Sequence, residues 1–426
     1  MALRSSRAEA ARTLIPILAA GLAARLALIA WTAPLDLSLD EARFWDLAAR
    51  GMEGTAFLPP LYPLVLAAFR SVCGDSVLAV RILTALLSLA GIGFVHRLGE
   101  RHMGRGGGRV PAWLAALWPT LIYYDGRLRS ESLVVLLLLG FAVLWTGPRT
   151  TARRPLLAGL VLGAAVLARP ELLLLPPILA LAAWRREGAP AAWGRAALLL
   201  PGLLVCVLPW SARNARVVGV WTPVSTNGGY NFWKSFNPQS DGSQVPIVDF
   251  APLVGVEERD LDRVGYAAGW RYIAEHPVRS LLLAPAKAGH LLGPERDHLS
   301  DVRRGRFPRR SLILDLGFAA AQNVLWFLLL AFGLYALLGP SASPVKDVVL
   351  AVLINLVLVH LVFFGDDRFH VPLLPFLLAV VPEAWDGSLK PRTGVRLLVL
   401  LVAALGVFWI AVLMRDLDRV GSLWGG

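Results

Sequence analysis

Apolar runs of about 15–25 residues recur along this chain, near the length that crosses a hydrocarbon layer about 30 Å thick, although the third and several later ones are short for a full crossing. They fall at 13–32, 77–98, 111–125, 131–147, 155–168, 172–185, 194–211, 312–337, 345–364, 370–385 and 395–414. With 56% hydrophobic and 17% charged residues, the chain has too few polar groups to cover a soluble globule of its 426-residue size. The pattern therefore predicts an all-α polytopic membrane protein of about eleven transmembrane helices. Arg4, Arg7 and Arg12 precede the first run, as in a signal peptide, but the run is too long for that and others follow, so an uncleaved helix is expected.

The net charge of +12 belongs to short loops rather than to a nucleic-acid surface. Arg97, Arg101, Arg105 and Arg109 form one cluster, Arg149, Arg153 and Arg154 a second, Arg185, Arg186 and Arg195 a third, and Lys390, Arg392 and Arg396 a fourth. If these loops and the amino terminus are cytoplasmic, eleven spans leave the carboxyl terminus outside. The basic run "RRGRFPRR" (303–310) then falls on the outer side, against the trend, in a long loop whose charge has little say in orientation. Three regions follow: an N-terminal transmembrane module, 1–211, with its first external loop at 33–76; an external loop region, 212–311; and a C-terminal transmembrane module, 312–426. Cys73 and Cys206 stand far apart in apolar surroundings and offer neither a disulfide framework nor a cysteine metal site.

Most other polar features collect on the predicted outer side: "LSLDEARFWDLAARGMEGTAFLPPLYP" (37–63), "YYDGRLRSE" (123–131), "LARPE" (167–171), the long loop and "GDDRFH" (365–370). In the first, Ser38 and Glu41 have the S-x-x-E spacing of a capping box, which predicts a short amphipathic helix from Leu39 to about Met52. Capping accounts for Glu41. Asp40 sits in the first turn, where the helix dipole favours a carboxylate, and Arg43 projects from the same side. On physics alone the pair is either a solvated ion pair or a base beside a phosphate-holding cation.

"DEARFWDLAARGM" followed by "PPLYP" resembles the first external loop of the polyprenyl-phosphate-dependent glycosyltransferases of the C-type (GT-C) membrane fold, which include protein O-mannosyltransferases and the lipid A aminoarabinose transferase. "ARPE" (168–171), "LPWSARNARVVGVWTPVSTNGGYNFW" (208–233) and "DDRFHVPLLPFLL" (366–378) follow in the same order, so the resemblance runs from 13 to about 385. It implies an inverting enzyme that moves a sugar from a polyprenyl phosphate to an acceptor hydroxyl. It implies Asp40 as catalytic base, Glu131 as a second functional acid with Asp125 as rival, and Arg43 on the lipid phosphate. Leu58 stands where aminoarabinose-type relatives carry a lysine, so no phosphate or metal contact is carried over at that point.

Further candidates for substrate or phosphate binding are Arg368, Arg127, Tyr62 and Lys287, with Arg25, Arg129, Arg169 and His290 behind them. No metal ligand is assigned, because no His spacing joins the outer acids and histidines, and a divalent ion stays open as a cofactor. Expected partners are the donor lipid, a glycan, lipid or protein acceptor, and the membrane, with no nucleic acid. The expected location is the inner (plasma) membrane, multi-pass, with the site facing the periplasm or exterior. The alternatives are a polytopic transporter or lipid flippase, for which no repeat is visible, and a catalytically silent scaffold.

Overall fold

The computed structural model describes residues 2–32, 37–148, 153–244, 252–303, 312–385 and 391–424, and every regular element among them is helical. Six helices are long and apolar enough to span a membrane: Arg12–Thr32, Val77–Met103, Ala189–Val217, Ile313–Leu337, Pro344–Val362 and Arg396–Met414. Each coincides with one of the expected runs.

The other five expected runs are shorter or broken. α5 (Arg109–Leu117) and α6 (Pro119–Asp125) divide at Pro119, which lacks the N–H needed to continue a helix. α6 then bends by 114° into α7 (Ser130–Trp145). α7 and α8 (Arg153–Ala168) have 16 residues each, about 24 Å of helix. Pro170 and Pro176 mark a 3-10 turn before α9 (Leu175–Glu187), and Pro372 and Pro375 likewise break 370–385 around a short helix, Leu374–Val380. Every residue of that short helix is buried. Interrupted backbone survives at membrane depth only where protein encloses it. α8 packs on α11 (Leu200–Val217) at backbone contact, and a Cβ on Gly202 would lie 2.3 Å from the Leu156 carbonyl oxygen.

The expected first-loop helix is α2 (Leu39–Arg50). Ser38 donates its N–H to Glu41 Oε2 at 2.7 Å, and Ser38 Oγ accepts the Glu41 N–H at 3.3 Å, completing the capping box. α3 (Leu61–Cys73), at 13 residues, is too short to cross, and it packs Tyr62 and Leu66 against Ala48 of α2.

Arginines of the first three clusters gather at the far end of α4 (Val77–Met103), away from α2. There Arg101 donates to Thr146 Oγ1 at 2.7 Å, Arg186 pairs with Asp347 at 2.7 Å, and Arg195 stacks 3.8 Å from the Trp145 ring. Most of the basic run 303–310 lies outside the described residues.

Candidate active site

At the α2 end of the bundle the structure has a cavity of about 590 Å³. Its wall is assembled from sequence-distant pieces: the start of α2, the 57–62 segment, the start of α7, the turn after α8, α12 (Gly228–Ser235), α13 (Glu258–Glu275) and the Asp367–Leu373 turn.

Asp40 lies on this wall, its carboxylate 42% exposed, and accepts Arg368 Nη1 at 3.0 Å. Arg368 also donates to Gln244 Oε1 at 2.6 Å and stacks 5.1 Å from the Phe369 ring. Its backbone N–H bonds Asp366 Oδ1 at 3.1 Å, which fixes the turn that carries it. Burial works against the guanidinium charge, but Asp366, Glu131 and Asp40 outweigh it and raise the pKa, so Arg368 stays charged. Glu131 forms a second acid–arginine pair, to Arg169 at 2.9 Å, and Arg169 also reaches Glu171 at 3.1 Å. Arg169 rests 5.0 Å from Phe369, so one aromatic ring supports the cations of both pairs. Arg43 lines the cavity and is exposed, and Tyr62 lines it with a hydroxyl that has no hydrogen-bond partner among the described residues.

Arg127, Lys287, His290, Asp125 and Arg25 lie elsewhere. Arg127 does not line the cavity. Its Nε and Nη2 donate to both carboxylate oxygens of Glu41 at 2.8 and 2.7 Å, and its Nη1 to Asp301 at 2.7 Å. Glu41 is fully buried and also accepts the Leu128 N–H at 3.0 Å, so this arginine fastens α2 to the α6–α7 bend. Lys287 is also absent from the cavity wall. It sits fully buried on α14 (Pro277–Leu292), its Nζ 2.9 Å from the Val362 carbonyl oxygen and 3.5 Å from the Phe236 ring centre. That carbonyl and the Leu361 carbonyl, 3.4 Å away, end α17 (Pro344–Val362), where a helix has unsatisfied acceptors and a negative dipole, so Lys287 caps it. His290 is buried as well, its ring 2.9 Å from Arg296 Nη2. Asp125, the rival of Glu131, pairs with Arg25 inside the bundle at 2.8 Å, and Arg25 also satisfies the Gly21 and Ala116 carbonyls. Glu131 is therefore the acid of the two that faces the cavity.

Sequence reasoning passed over Lys234, Glu171 and the Asp297–Asp366–Asp367 group. Lys234 follows Tyr230 by one helical turn, a spacing that places both on the cavity face. The three aspartates bring carboxylate oxygens within 4.8 Å of one another. Asp297 pairs with Arg129 at 3.1 Å and accepts the Tyr124 hydroxyl at 2.5 Å. Asp366 holds the Arg368 turn, and Asp367 takes the backbone N–H groups of Arg296 and Asp297. Guanidiniums and amides already engage these oxygens, so the set fits an ion-pair network better than a divalent-ion cage.

Residues 58–212 match the sequence model of the dolichyl-phosphate-mannose-protein mannosyltransferase family. The crystal structure of ArnT from Cupriavidus metallidurans bound to undecaprenyl phosphate is similar in fold, with a TM-score of 0.50 at 16% identity, over 89% of this chain and 62% of that one. The Archaeoglobus fulgidus oligosaccharyltransferase in its apo form gives 0.51 at 13% identity, over 94% of this chain and 55% of that one. The chain thus spans less than two thirds of the length of either, and no curated protein matches it. In helical architecture, this chain is a multi-pass membrane protein that shares the fold of these two structures.

Proposed function

We propose that the chain is an inverting glycosyltransferase that moves a sugar from a polyprenyl-phosphate donor to an acceptor hydroxyl in this cavity. The observation that carries the reading is the Asp40–Arg368 pair, 3.0 Å apart on the cavity wall, with Glu131–Arg169 on the same wall. A sugar on a lipid phosphate already has a good leaving group, so the protein must supply a base, a cation and orientation. Asp40 takes the proton of the acceptor hydroxyl as its oxygen attacks the anomeric carbon. The C1–O bond to phosphate breaks, its electron pair stays on the phosphate, and one direct displacement inverts the centre. Arg368 Nη1 occupies the Asp40 carboxylate, which must be released to take a proton. A donor phosphate that shares the guanidinium loosens the pair and frees Asp40 only when the donor is in place. The ArnT complex with undecaprenyl phosphate supports the lipid class, and the family match over 58–212 supports the transfer chemistry. The separation of the arginine-rich end from the cavity end supports a plasma-membrane enzyme with its site outward, by the positive-inside bias.

Deleting the gene and analysing lipids and envelope glycans tests this. A polyprenyl-phosphate sugar should accumulate while one glycan, lipid or protein loses that sugar; unchanged lipid-linked sugars and glycans contradict the reading. Arg368→Lys keeps the charge but not the planar fork, and should lower kcat/KM for the donor about 10–100-fold, the range for a lost charge-assisted hydrogen bond.

A further inference from the structure

The cavity's buried and half-buried cations are unequally matched. Arg368 has Asp40, Arg169 has Glu131 and Glu171, and Arg129 has Asp297. Lys234 is only 9% exposed and lines the same cavity, yet among the described residues its ammonium makes no hydrogen bond and no ion pair. Its one close neighbour of note is the Phe364 ring, 4.9 Å away. The helix that carries it is packed closely. The Gly229 N–H bonds Asp262 at 2.7 Å, and a Cβ on Gly229 would lie 2.2 Å from the Asp262 carbonyl oxygen, so α12 sits directly on α13. Burial and then the charge of Arg368 pull the lysine down to about 8, with Asp366 and Asp40 acting the other way. Holding an ammonium there without a partner is costly, and an arriving anion offsets that cost.

The charge of the reacting phosphate changes during the reaction. Bound to sugar and lipid it is a diester with one negative charge. Once the C1–O bond breaks and the electron pair stays behind, it is a monoester of about −1.5 to −2 near neutral pH. Acceptor oxygen bonds to C1, the acceptor proton goes to Asp40, and the phosphate gains the new negative charge. Resting on the glycosyltransferase reading above, we propose that Lys234 is the leaving-phosphate cation, its ammonium meeting the negative charge that develops on the polyprenyl phosphate as the sugar departs. A contact that strengthens as charge develops stabilises the transition state more than the bound donor, so it acts on kcat rather than on KM.

Binding of three probes to the full-length protein in nanodiscs tests the proposal without turnover: undecaprenyl phosphate, its methyl diester and undecaprenol. The wild type should bind the monoester most tightly and the alcohol least. Lys234→Met should weaken monoester binding about 10–100-fold while changing diester binding much less, and Lys234→Arg should stay near wild type. If Lys234→Met lowers the melting temperature, Lys234→Gln, which stays polar, carries the comparison. An unchanged monoester-to-diester ratio in a folded charge-removing variant overturns the role of Lys234 and leaves the glycosyltransferase reading standing. A wild type that does not distinguish undecaprenyl phosphate from undecaprenol overturns both.

Discussion

Asp40→Asn is expected to reduce sugar transfer by about 10²–10⁴-fold, the usual contribution of a positioned general base. Asparagine matches aspartate in size but cannot take the acceptor proton, and Asp40 lies on the cavity wall with an accessible carboxylate. The capping box uses Ser38 and Glu41, so the start of α2 should persist in the variant. The substitution also releases Arg368 from its carboxylate. Polyprenyl phosphate should therefore bind at least as tightly as before, while transfer, measured with a labelled lipid donor, is lost. Near-normal turnover would remove Asp40 from the chemistry. Loss of lipid binding together with turnover would make it a structural residue.

Arg127→Met is expected to destabilise the protein by about 3–5 kcal/mol, the range for removing one partner of a buried ion pair. It would leave the carboxylates of Glu41 and Asp301 without this guanidinium in a region where Glu41 is fully buried. Thermal unfolding of the purified variant measures the effect. A folded variant of normal stability with weakened donor binding would instead return Arg127 to the phosphate role that the sequence suggested. The same pair has a pH signature. Burial opposes ionisation of Glu41, but the hydrogen bonds and charge of Arg127, with Ser38, hold its carboxyl well below the usual range. A lowered folded-state value means that the stabilisation is fully present above the unfolded value of about 4.3 and is lost progressively as pH falls below it.

These residues also show how far the sequence carries. The capping box was legible because it is local: Ser38 and Glu41 are three apart, and helix geometry dictates their contact. The six longest apolar helices were legible because composition and length suffice. The broken elements were not, since Pro119, Pro170, Pro176, Pro372 and Pro375 interrupt helices whose burial depends on neighbours far away in sequence. Arg127 and Lys287 illustrate the same limit. One bonds a carboxylate 86 positions away and the other a helix end 75 positions away, and nothing local distinguishes either from a ligand-binding cation. The Asp40–Arg368 contact spans 328 positions; both residues were candidates, but only the fold brings them together. Lys234 lies one helical turn beyond Tyr230, just past the 208–233 motif, and no local pattern distinguishes it from an ordinary helix-surface lysine.

A structure determined with undecaprenyl phosphate tests the central claim most directly. The account predicts the phosphate inside the cavity, within hydrogen-bond distance of Arg368, with the Asp40–Arg368 contact lengthened. A phosphate bound outside the cavity, with the Asp40–Arg368 contact unchanged, would contradict it.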